Sequence, residues 1–230
     1  MSNNLAAVLR LHWMDTRYAF AIFWSTLIGF ELIFCLLIWF YGDGMVMFSG
    51  WMAVYGFAFA GGVMTVQSTF PVALGWSVPR KDYYLATMLH YVLACVALSV
   101  IYMIMYGIEN VFGNMLTGGR VKIFTLPIES EPSVWFLLWF HFIVALTMLT
   151  QGHFFSCLYY RYGRLGLFAF FAILVLLVIL FHFLKVWDWI ARLLSAITFE
   201  EFLLWLVPLN AVVLASAWLF LRKAPSKKAS

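Results

Sequence analysis

The sequence predicts an all-α integral membrane protein with six transmembrane helices, and three observations carry that fold class. First, 65% of the 230 residues are hydrophobic and 10% are charged, where a soluble domain holds about 45–50% apolar and about 25% charged residues. Second, six apolar runs stand at about 18–42, 50–75, 83–107, 134–159, 165–187 and 201–221. Each approaches or exceeds the roughly 20 residues a helix needs to cross a bilayer. Third, none of the runs alternates like a barrel strand, so helices must satisfy the backbone in lipid. The mean hydropathy of +0.96 excludes a disordered chain, a soluble enzyme and a nucleic-acid-binding domain. The whole of 1–230 therefore reads as one transmembrane domain in contact with lipid.

Residues 3–17 come first and read as an amphipathic helix in the membrane interface. Leu5, Val8, Leu9 and Trp13 form an apolar stripe, while Arg10 and Arg17 share another face. A plain extension of the first span fits the same pattern equally well. The opening lacks a short apolar core followed by a small-residue cleavage site, so it is not expected to be a signal peptide. Between spans two and three, the stretch Trp76–Asp82 predicts a short basic connection. There a helix ends near Gly75, Ser77 can cap the next helix, and Pro79 suits its first turn. Residues 108–133 form the longest loop, with Gly118, Gly119, Pro127 and Pro132 and little expected regular structure. Residues 186–200 repeat Trp187, Ile190, Leu194 and Ile197 at helical spacing, predicting a short external helix between spans five and six.

Lysine and arginine set the orientation. Ten of the 14 fall on the side that carries both chain ends and four on the other. The richer side is cytoplasmic by the positive-inside rule, which places both termini inside. The net charge of +4 thus reports topology, and no nucleic-acid partner is expected.

Catalytic and metal motifs are missing. There is no HExxH, no GxSxG and no Walker A loop, so no enzymatic activity is expected of this chain. Cys35, Cys95 and Cys157 sit singly in apolar runs, which argues against a disulfide framework or zinc site. His90, His141, His153 and His182 occupy two depths within the spans, the arrangement a haem-binding membrane anchor of a redox complex would need. The plainer alternative is that each bonds a neighbouring helix or lines a wet cavity. Glu31 lies near the middle of the first span, where an ionisable group usually faces the bundle interior or water. Gln67 and Gln151 are candidate partners for it along a substrate path.

Phe70-Pro71, then Gly75, Ser77, Arg80-Lys81 and Tyr83-Tyr84, together resemble the corresponding junction in membrane subunits of ABC-2-type transporters. The order of parts is similar over nearly the whole chain. The resemblance implies a bacterial cytoplasmic-membrane permease subunit that pairs with a second, identical or related, membrane subunit and with cytoplasmic ABC ATPases. ATP and Mg would then be bound and hydrolysed on those partners, and this chain would need no cofactor. Residues 76–84 would be the coupling element, with Ser77, Pro79, Arg80, Lys81, Tyr83 and Tyr84 seated against the ATPase. Small bacterial members of the family often export amphipathic or antimicrobial peptides, or confer immunity to them, so a peptide is the expected substrate. An assembly factor or sensor without transport activity is a further class that composition permits.

Overall fold

The structure, a computed structural model, describes residues 3–41, 46–47, 50–124 and 133–225. It is almost entirely helical: α1 (Asn3–Tyr41), α2 (Gly50–Gly75), α3 (Arg80–Ile108), α4 (Asn114–Thr117), α5 (Val134–Phe183), α6 (Val186–Ser195) and α7 (Phe199–Leu221). Two short strands, β1 (Val46–Met47) and β2 (Val121–Lys122), pair in parallel with Val46 opposite Val121. Five of the helical stretches are long and apolar enough to cross a membrane, as the composition requires.

One of the expected boundaries changes. Residues 3–17 are not a separate interfacial helix, because α1 runs unbroken from Asn3 to Tyr41. No glycine or proline interrupts 3–28. The stripe of Leu5, Val8 and Leu9 packs on Phe70, Val78 and Tyr83 rather than facing lipid. At about 1.5 Å per residue, α1 is about 58 Å long, nearly twice a hydrocarbon core.

The runs at 134–159 and 165–187 form the two arms of α5, which meet at a kink at Gly163. Gly163 has φ 69° and ψ −160°, a conformation open essentially to glycine alone. Phe154 meets Phe170 at 5.5 Å and Phe155 meets Phe171 at 5.6 Å between ring centroids. In a straight helix residues sixteen apart would lie about 24 Å apart. The chain therefore folds back at Gly163, and Phe155 and Phe171, each eight residues from the elbow, stack across it.

Loop 108–133 is more ordered than its glycines suggested. α3 passes into a π-helical turn at Glu109–Gly113 and then α4, and Gly118 and Gly119 reverse the chain with φ 61° and 76°. β2 follows. Pro127 and Pro132 lie outside the described residues. α6 supplies the short helix expected within 186–200, and Thr198 caps α7. Thr198 Oγ1 accepts from Glu201 N, and the Glu201 carboxylate accepts from Thr198 N at 2.8 Å, a reciprocal capping box.

α5 is the central element, packed against α2, α7 and α3, with α1 laid along α3 and α2. Glycines let α2 and α5 touch backbone to backbone. A Cβ on Gly62 would strike the Leu149 carbonyl oxygen, and one on Gly152 would strike the Phe59 carbonyl oxygen. Ser156 Oγ donates to Val63 O across the same crossing at 2.6 Å. Such small-residue crossings hold helices together in lipid, where apolar side chains alone give little preference for protein over solvent. α7 is tied to α5 by Asn210, whose Oδ1 accepts from Thr150 Oγ1 at 2.7 Å and whose Nδ2 donates to Thr147 Oγ1 at 2.9 Å.

Candidate functional site

The α2–α3 junction is a rigid, capped turn. Val78 N donates to Ala73 O and Ser77 N to Leu74 O, the two bonds of a Schellman motif. Ser77 occupies its left-handed position with φ 57°, where glycine is usual. Val78 and Ala73, the hydrophobic pair of that motif, are both buried. Ser77 therefore ends α2 and does not cap α3, which corrects the sequence reading. Pro79 precedes the first residue of α3 and makes no side-chain cap bond.

The two tyrosines of the junction turn inward. Tyr83 is 1% exposed, and its hydroxyl lies 2.8 Å from Thr69 Oγ1 on α2. Tyr84 donates to Leu214 O on α7 at 2.8 Å. Both rings brace the bundle and are not free to fill a pocket on another protein, contrary to the role the sequence suggested. Arg80 is also turned to the protein, with Nη1 donating to Arg222 O at 2.6 Å. Arg161, just before the α5 elbow, donates to Leu219 O at 3.0 Å. These two cations supply donors to carbonyls at the C-terminal end of α7, where the intrahelical partners run out. Trp76, Ser77, Pro79 and Lys81 remain exposed on the turn. The junction thus joins α2, α3, α5 and α7 at one end of the bundle.

The histidines are held by other side chains. His141 Nδ1 lies 2.7 Å from the Tyr55 hydroxyl, and the Tyr102 ring centres 3.7 Å from its own. His153 Nδ1 lies 2.9 Å from the Tyr91 hydroxyl and its Nε2 3.5 Å from Cys157 Sγ. Which atom donates depends on the tautomer. His90 stacks on His12 at 5.0 Å and lies 3.4 Å from Thr16 Oγ1, while His182 is exposed on the outer arm of α5. Three of the four candidate haem ligands thus have a ring nitrogen near a side chain of the bundle. Among the described residues, no group of three or more His, Cys, Asp or Glu is placed to hold a metal ion.

Glu31, Gln67 and Gln151 do not converge. Glu31 is 8% exposed, Gln67 is exposed on α2, and Gln151 is half-buried on α5. Among the described residues no hydrogen bond joins the three.

Two buried groups escaped the sequence reading. Glu109, 3% exposed at the first position of the π-helical turn, accepts from Ile123 N and Phe124 N at 2.6 Å each. Tyr102 donates to Phe124 O at 2.5 Å. Together they clamp residues 123–124, whose side chains are fully buried. Its position beyond the third apolar run was the available signal, but nothing local names its partners. His12 is the second: its Nε2 lies 3.0 Å from Thr87 Oγ1, linking α1 to α3.

No protein-family model, curated protein or solved structure matches the chain.

Proposed function

We propose that this chain is the membrane-spanning subunit of an ATP-driven exporter of the ABC-2 type, coupled through the α2–α3 turn to a separate ATPase. The braced turn is the observation that carries this reading. A Schellman cap, Pro79 and the Arg80, Tyr83 and Tyr84 bonds make it a stiff lever tied to α2 and α7. Exposed Trp76 and Lys81 offer an aromatic body and a cation at its tip, a pairing suited to a groove rimmed by carboxylates. Force applied there would be passed to three helices at once and would bias a two-state change in the bundle.

In this reading the α5 arms at 134–162 and 164–183 are two separate spans. At 1.5 Å per residue they measure about 43 Å and about 30 Å, each enough to cross the hydrocarbon core. Six crossings place both chain ends on the basic side. Glu31, Gln67 and Gln151 would then line different stretches of the path, whose second half a paired membrane subunit would supply. An amphipathic peptide is the proposed substrate.

The test is whether a Walker-motif ATPase from the same cells co-purifies with the chain, and whether it is retained by Trp76→Ala and Lys81→Glu variants. Both residues are exposed, so the bundle should insert normally while ATPase retention falls at least tenfold, as loss of an interface anchor worth about 2 kcal/mol predicts. Unchanged retention in both variants would remove the coupling role of the turn.

A further inference from the structure

An apolar groove with a cavity volume of about 460 Å³ runs between α1, α2 and α3. Its floor is made of small residues, Ala58, Gly61, Ala94 and Ala97, which is why it cuts below the surface of the bundle. The far end is closed by Phe20, Phe57 and Ile101. Leu9 and Trp13 line the other end, with Thr16, Arg17 and His90 between. On α3 the lining runs from His90 to Ile101, a rise of about 16 Å and so close to half of a hydrocarbon core about 30 Å thick. From His90 outward the groove therefore has the depth of one leaflet, and Leu9 and Trp13 extend its α1 wall further inward. Its side is open where Trp13 and Leu93, 65% and 56% exposed, line it at the lipid-facing surface.

Charge completes the picture. Arg17 stacks over the Tyr18 ring at 4.5 Å and donates to its hydroxyl at 3.0 Å, and among the described residues it forms no ion pair. The nearby carboxylate of Asp15 instead accepts from Ser68 Oγ at 2.8 Å. A guanidinium without an ion-pair partner thus sits on the α1 wall of an apolar slot, between Trp13 and Phe20. By the lysine and arginine asymmetry the Leu9 end of the slot is on the cytoplasmic side.

We infer that the groove is a binding site for one acyl chain of an inner-leaflet anionic phospholipid, with the phosphate on Arg17 and the chain between α1 and α3. The small-residue lining, the one-leaflet depth beyond His90 and the Arg17 cation each match one part of such a lipid. The Thr16 hydroxyl stands where a glycerol or phosphate oxygen would pass. The site does not depend on a transport function, since any membrane protein with this bundle would present it.

The experiment is native mass spectrometry of the purified full chain, with its partners if it has them. After delipidation it is titrated with dioleoyl-phosphatidylglycerol or with dioleoyl-phosphatidylcholine. The wild type should retain one phosphatidylglycerol per chain, about fivefold tighter than phosphatidylcholine, as expected for one basic residue near the lipid surface. Arg17→Gln should abolish that preference and keep the chain. Ala94→Leu and Ala97→Leu, each a helix-compatible change, should fill the slot and lose both lipids while the protein still elutes as a folded species. Either variant alone decides the matter if the other fails to fold. Wild-type binding in a folded Ala94→Leu or Ala97→Leu protein would overturn the site, and a preference unchanged in Arg17→Gln would overturn the headgroup assignment. A photo-crosslinker at Leu93 should label lipid. Capture of a second copy of the chain or of another protein would make the groove a subunit interface and refute the lipid.

Discussion

Replacing Gly62 by alanine should destabilise the bundle, whereas the same change at the adjacent Gly61 should not. The two residues are neighbours on α2 and differ in what a methyl group would meet. At Gly62 a Cβ runs into the Leu149 carbonyl oxygen and lies 2.8 Å from His153 N, while at Gly61 and Gly56 it meets nothing within 4 Å. The obstruction at Gly62 is backbone, so no rotamer change relieves it and α2 must move away from α5. Overpacking of this kind costs about 1–3 kcal/mol. Separation also stretches the Ser156–Val63 bond, and such an interhelical bond is worth about 0.6 kcal/mol in a membrane protein. Alanine regains about 0.8–1.0 kcal/mol of helix propensity at any of these sites. Gly62→Ala should therefore lose about 1–3 kcal/mol net, and Gly61→Ala and Gly56→Ala should be neutral or gain up to about 1 kcal/mol. The assay is reversible unfolding in mixed micelles against rising dodecyl sulfate, followed by far-ultraviolet circular dichroism. Equal midpoints for Gly61→Ala and Gly62→Ala would refute the close backbone crossing of α2 and α5.

Gly163→Ala should lower stability by about 1–3 kcal/mol, the usual cost of holding a side chain in this backbone region. A midpoint equal to that of the wild type would mean that the elbow does not need glycine. Glu109→Gln keeps the shape but replaces a charged acceptor by a neutral one, a difference of about 1 kcal/mol per bond. Residues 121–124 should then open more often, and a membrane-impermeant amine reagent should modify Lys122 faster than in the wild type; an unchanged rate would show that the clamp does not restrain the loop. Single cysteines introduced at Ser2 or Ser230 should react with an impermeant maleimide only after the membrane is permeabilised, and reaction in intact cells would reverse the orientation drawn from lysine and arginine.

Much of the fold was legible because lipid imposes a simple rule on sequence. A run that must cross it is apolar over about 20 residues, so composition alone located α2 at its observed limits and α3 and α7 to within three residues. Periodicity likewise found the short amphipathic helix α6. The capping box at Thr198 was present in the sequence as Thr198 followed three residues later by Glu201. At the α2–α3 junction, Ser77 carries the signal of a helix start. Only the backbone shows it ending the previous helix, because one serine can serve either end and φ is not written in the side chain.

What the sequence determined by itself is the class of molecule: apolar runs of spanning length, a basic side and a charge-poor remainder follow from the free energy of placing each residue in lipid. The tertiary structure decided which polar groups meet. Tyr83 and Tyr84 look like exposed anchors in the sequence, and packing turns them to Thr69 and Leu214. Glu109 finds Ile123 and Phe124 fourteen and fifteen residues away, and His153 finds Tyr91 on another helix. In a bundle where nearly every face is apolar, hydrophobicity cannot select one helix rotation over another. That choice falls to close backbone contacts such as Gly62 with Leu149 and Gly152 with Phe59, and to a few buried hydrogen bonds, whose partners are set by three-dimensional fit and not by spacing along the chain.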